Sequence, residues 1–196
     1  MWSWCGQLSW MSEEELISHY LTPMSILEQE FPDVIFVYMT GHTDGTGLEG
    51  NLHQRNEQIR EFCKENNKVL YDFADIESYD PDGNYYGDKN VSDDCSWNNG
   101  THSGNWAIEW QNTHEEGVEW YNCASAHSQP LNANLKAYSA WWLWATLAGW
   151  ENESNSGTDN NGDETAKTSF LSIYLLLIFI IGISTNVLTN RKRKVF

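Results

Sequence analysis

The stretch DVIFVYMTGHTDGTGLEG, residues 33–50, decides the reading of this chain: an apolar run enters a Gly- and Asp-rich turn, and an amphipathic pattern follows. Val34 to Met39 are near-continuously apolar, the pattern of a strand covered on both faces. In an open α/β sheet, ligands bind outside the carboxyl ends of the strands, so Gly41, His42, Thr43 and Asp44 stand where chemistry is usually placed. The same order occurs twice more, at Trp2-Ser3-Trp4 before Cys5-Gly6-Gln7 and at Val69-Leu70-Tyr71 before Asp72, Asp75 and Glu77.

Around these segments the periodicity predicts helices. Ser12-Glu13-Glu14-Glu15 is a capping-box signature opening a helix with Leu16, Ile17, Tyr20 and Leu21 on one face. At Pro23 either a new turn begins with Thr22 as its cap, or the helix kinks. Residues 49–66 form a helix with Leu52, Ile59, Phe62 and Cys63 inward, and Lys68 to Phe73 give the next strand. Strand, helix, strand, helix, strand implies right-handed parallel crossovers and a doubly wound, flavodoxin-like α/β sheet. From 78 to 126 the pattern dissolves into Gly, Asn, Asp and aromatic residues, a loop long enough to be functional or braced. A last helix runs from Pro130 to Trp150; Ala137 through Ala148 are almost wholly apolar, so it is expected to be buried, with Gly149 as its C-cap.

Charge and hydropathy divide the 196 residues further. The net charge is −17, and residues 1–168 hold 28 acids against 7 bases. Such a surface repels phosphates, so no nucleic-acid partner is expected. Residues 169–188, SFLSIYLLLIFIIGISTNVL, are uncharged; 20 residues rising 1.5 Å each span about 30 Å, the thickness of a bilayer core, so this is read as a transmembrane helix. The cluster Arg191-Lys192-Arg193-Lys194 follows, which by the positive-inside rule leaves 189–196 as a basic cytoplasmic tail and turns residues 1–168 outward. Residues 151–168 lack large apolar side chains and read as an acidic flexible linker. Residues 1–10 do not resemble a signal peptide and look like the middle of a domain.

Cys5, Cys63, Cys95 and Cys123 show no CxxC spacing, and no metal or cofactor is expected. Outside the cell, a Cys95–Cys123 disulfide would brace the long loop, though four cysteines allow three pairings. Asn90, Asn99 and Asn152 open glycosylation sequons. Asp80-Pro-Asp82-Gly-Asn84 offers oxygens at alternate positions, but without the glycine and glutamate placement of a calcium loop it reads better as a surface turn. Trp97, Trp106, Trp110 and Trp120, among 11 tryptophans, either contact glycan or pack a loop that lacks aliphatic residues; Trp141, Trp142 and Trp144 are expected in the core.

The order of CGQ, TGHTDG, YDFADIE and then AHSQPLNANLKAYSAWWLWATLAGW resembles the SGNH-hydrolase-type (GDSL-like) esterase domains over about residues 1–150. The resemblance implies a serine ester hydrolase acting on acyl groups, including those of surface carbohydrate, with His127 as general base. It implies an oxyanion pocket from Gly6 and the block Gly41-His42-Thr43-Asp44. The chain departs from the family at three places. Met1 already falls in the second strand, so the nucleophile block is missing; Thr43 replaces an Asn; and Ala124 stands where the orienting Asp belongs. Asp72, Asp75 or Glu77 would then have to orient His127. Without function, His127 is a helix-entry residue bonded to its neighbours, His42 lines the pocket or caps the next loop, and Asp44 serves the turn. The rival class is a non-enzymatic surface module that binds glycan through its Trp-rich loop.

Overall fold

A computed structural model describes residues 1–150. The linker, transmembrane and tail readings (151–168, 169–188 and 189–196) lie outside the described residues. Among the described residues, no helix is long and apolar enough to cross a membrane.

The chain opens with a single 3-10 turn, Gln7–Trp10, entered through Gly6 at φ 77. Helix α1, Glu13–Leu16, starts on the full capping box of Ser12 and Glu15. It continues through a π-helical turn, Ile17–Leu21, into α2, Thr22–Glu30. Pro23 has no N–H to give the preceding turn, and the wider π register is how the helix passes it without ending. Strand β1, Val37–Met39, is followed by α3, Asn51–Glu65, and β2, Val69–Tyr71. The short α4, Phe73–Glu77, is capped by Asp72, whose carboxylate accepts from the Asp75 N–H. Beyond it come β3, Ser96–Asn98, β4, Ser103–Asn105, α5, Trp106–Gln111, and α6, Pro130–Leu147.

The doubly wound sheet is not formed. Strands β1 and β2 pair in parallel, Val37 with Val69 through Met39 with Tyr71, as the crossover pattern requires, but this sheet has two strands. Side chains explain why the third is absent. The Tyr20 hydroxyl receives the Met39 N–H at 2.8 Å and lies 3.2 Å from the Trp2 carbonyl. Ser3 Oγ donates to the Thr40 carbonyl at 3.0 Å. The Trp2–Trp4 segment therefore lies beside β1, but hydroxyls occupy the edge where a backbone ladder would form.

The two strands are also shorter than the apolar runs suggest. Asn67 at φ 51 ends the turn after α3, and Asp72 begins α4, so only 69–71 remain extended enough to pair. At the far end of β1 the Gly41 backbone turns to Asn56, giving its N–H to Oδ1 at 2.8 Å and accepting from Nδ2 at 3.1 Å. Val34 and Ile35 are left exposed.

The 78–126 region is not one irregular loop. Strands β3 and β4 form an antiparallel pair, and α5 starts on the Asn105 side chain, which accepts from the Ile108 N–H. Two apolar clusters result. One gathers Leu8, Leu16, Tyr20, Met24, Tyr38, Leu52 and Ile59 around β1. The other gathers Tyr86, Val91, Cys95, Trp106, Trp120, Leu131 and Leu135 under the hairpin and α5.

The compact unit Met1–Ala140 ends inside α6. The buried residues of α6 are Leu131, Asn132, Asn134 and Leu135, and the remaining apolar half is open rather than core: Trp141 is 68% and Trp144 51% exposed. Gly149, at φ 86, follows the helix as a left-handed C-terminal residue. The cysteines are unpaired; Cys63 and Cys95 are buried, and Cys5 and Cys123 are exposed.

Candidate functional site

The turn after β1 brings the predicted Thr43 against the predicted Glu77, whose carboxylate is its centre. This carboxylate has no solvent exposure. Its Oε2 accepts the Thr43 N–H at 2.6 Å and the Thr43 hydroxyl at 3.0 Å, while Oε1 accepts Lys136 Nζ at 2.6 Å. Burial pushes the Glu77 carboxyl up, and Lys136 with the two Thr43 donors opposes that shift. Lys136 also sits 4.0 Å from the centre of the Phe73 ring, a cation–π contact. The Glu77 carbonyl accepts the buried Trp106 indole N–H at 3.1 Å, joining the turn to the second cluster.

A second carboxylate lies one turn away. Asp72 receives Arg60 as a fork, Nε to Oδ2 at 2.6 Å and Nη2 to Oδ1 at 2.8 Å, and also the Thr40 hydroxyl at 2.9 Å. Arg60 additionally holds Glu57. Asp75, next along α4, has its carboxyl pushed up to about 6 by burial and by the neighbouring Asp72 charge.

Of the expected oxyanion donors, those of Thr43 and Gly41 are therefore committed elsewhere. Both Thr43 donors go to Glu77, and the Gly41 N–H goes to Asn56. Gly41 is a packing glycine: a Cβ there would come within 3.0 Å of Leu8 Cδ1 and 3.2 Å of Leu52 Cδ1. Gly6 turns the chain into the 3-10 segment. The His42 ring lies 3.0 Å from the Thr43 carbonyl and 3.9 Å from Asp93 Oδ2. Asp44 receives Ser9 Oγ at 2.7 Å and caps the Thr46 N–H at 3.0 Å, which is turn chemistry.

His127 is exposed and holds a left-handed φ of 56, a conformation uncommon outside glycine. Its ring makes no hydrogen bond or ion pair among the described residues. Neither Asp72 nor Glu77 orients it; each is bound to a cation instead. Ser128 accepts Asn132 Nδ2 at 2.6 Å and lies 3.8 Å from the Cys95 sulfur, whose thiol is pushed up to about 12 by burial and also feels Glu77 and Lys136.

The four loop tryptophans are placed unequally. Trp106 and Trp120 are 1% and 9% exposed and serve as core. Trp97 and Trp110 are half-buried, with indole nitrogens that lack a partner, and Trp110 stacks on His114 at 3.5 Å. The Asp80 turn is closed on itself: its carboxylate accepts from the Asp82 and Asn84 amides, the Asn84 side chain and the Tyr86 hydroxyl.

Sequence reasoning passed over Lys136, Arg60 and Asn56, and read Tyr20 only as part of an apolar helix face. Lys136 had a signal: it is the lone charge between Pro130 and Trp150, and a charge on an apolar helix needs a partner. No protein-family profile, curated protein or solved structure matches this chain.

Proposed function

We propose that residues 1–150 form a non-hydrolytic, carbohydrate-binding surface module, held outside a membrane by the 169–188 segment. The observation that carries the first half is the commitment of the Thr43 and Gly41 donors to Glu77 and Asn56. An oxyanion pocket needs preorganised, unspent donors, and losing one such donor typically costs about 100-fold or more in rate. The serines near the turn are equally engaged, Ser3 with the Thr40 carbonyl and Ser9 with Asp44.

Carbohydrate chemistry is favoured by what stands open beside the same turn. Trp10 is 86% exposed, flanked by Ser9, which bonds Asp44, and by Met11, whose carbonyl accepts the exposed Asn51 amide. An open indole face stacks on a sugar ring. The test treats the full chain with a serine-reactive phosphonate and passes it over immobilised polysaccharides. No adduct, with retention that Trp10→Ala abolishes, is the expected result; an adduct, or no retention on any polysaccharide, overturns the reading.

One observation favours the esterase reading as the alternative. The exposed His127 ring makes no hydrogen bond or ion pair among the described residues, so a serine from outside them would meet an uncommitted imidazole.

A further inference from the structure

The 137–150 stretch, AYSAWWLWATLAGW, carries no charge, and three of its five rings are exposed. Trp141 and Trp144 are one helical turn apart, edge to face at 5.6 Å, and are 68% and 51% exposed. Past the helix end, Trp150 is 47% exposed and meets Trp142 edge to face at 4.9 Å. Large rings left open on an uncharged helix end mark an interaction surface rather than scattered surface residues.

What covers this surface follows from where the chain goes next. Residues 151–168 give an 18-residue tether before the apolar 169–188 segment. Read as a linker, 18 residues span about 25 Å root-mean-square, so Trp150 can reach the bilayer surface. Indole rings partition to the membrane–water boundary, where an apolar body and a polar N–H are both satisfied. The 28 acids and 7 bases of residues 1–168 exclude attraction to anionic headgroups, so the fitting surface is a zwitterionic one, held by ring burial and not by charge.

We infer that the Trp141, Trp144 and Trp150 end of α6 docks into the headgroup region of the leaflet that carries the chain's own C-terminal span, an inference that rests on the membrane-anchored reading above. The full chain is reconstituted in phosphatidylcholine nanodiscs, with and without a nitroxide lipid labelled near the headgroup. Tryptophan emission is expected to be quenched by the shallow label, to be insensitive to salt, and to lose at least half of that quenching in Trp141→Ala/Trp144→Ala.

Both side chains are exposed, so the double variant keeps its fold, checked by an unchanged near-UV dichroism spectrum. Incorporation without shallow quenching overturns the docking and leaves the anchor standing. Quenching that is absent while two chains crosslink through the 141–150 end shows that a second copy covers the rings, and also overturns it. A chain that does not enter nanodiscs overturns the anchor and the docking together.

Discussion

Replacing Lys136 by Met removes the cation from a carboxylate that has no water to turn to. Glu77 Oε1 loses its 2.6 Å partner, and Oε2 keeps only the two Thr43 donors. Breaking a buried pair from one side typically costs about 3–5 kcal/mol. Here the loss has a ceiling, because Glu77 can instead take up a proton. With an ordinary carboxyl value of 4.5, protonation at pH 7 costs about 1.4 kcal/mol per unit, or about 3.4 kcal/mol. The ceiling rises to about 5 kcal/mol at pH 8 and falls to about 2 kcal/mol at pH 6.

The sign follows from proton binding. In Lys136→Met the folded state holds a proton that the unfolded state has released, so stability falls as pH rises above the ordinary carboxyl range. Urea unfolding of the full chain, followed by tryptophan emission at pH 6, 7 and 8, reads this directly. Glu77→Gln/Lys136→Met should recover most of the loss and abolish its pH dependence. A single variant within about 0.5 kcal/mol of the parent at pH 8, or a loss that does not change with pH, would refute the view that Glu77 is a desolvated charge held by Lys136.

Asp75→Asn should stabilise the fold at neutral pH. The Asp75 carboxyl is raised from 3.8 to about 6, so its burden is absent below about pH 4, grows as pH rises through that window, and reaches at most about 3 kcal/mol above it; the difference between parent and variant melting curves at pH 4 and 8 checks this. Tyr20→Phe leaves the Met39 N–H without its partner and should cost about 1–3 kcal/mol in urea unfolding, with parent-like packing of the ring. Asn56→Leu strips both the N–H and the carbonyl of Gly41 of their partner at a site 2% exposed. A loss of about 2–4 kcal/mol is expected in the same unfolding assay, together with faster amide exchange at 41–44; unchanged exchange would show that the turn holds itself.

Local signals in the chain were sufficient for much of the frame. The capping box at Ser12, the inward stripe of α3, the parallel pairing of β1 with β2 and the left-handed Gly149 all follow from spacing and turn chemistry. Each depends on neighbours within a few residues, or on one crossover. The closing helix was legible only in part: its length and start were, but an apolar run does not say which half is covered, and Trp141 and Trp144 are open.

The site was less legible, because its residues are joined across the chain by single contacts that leave no periodic trace. The turn 41–44 could be located from strand, glycine and aspartate alone. That Thr43 serves Glu77, that Asp72 serves Arg60 and that neither carboxylate orients His127 could not. The missing third strand has the same cause, since a lone hydroxyl on Tyr20 takes the place of a ladder. Composition and hydropathy alone establish the acidity of this chain, its uncharged 169–188 segment and the whereabouts of its turns, because those are sums and periods over local residues. Which donors are spent and which rings stay open was decided only by packing, because one hydrogen bond between residues 34 or 59 positions apart depends on the whole path between them.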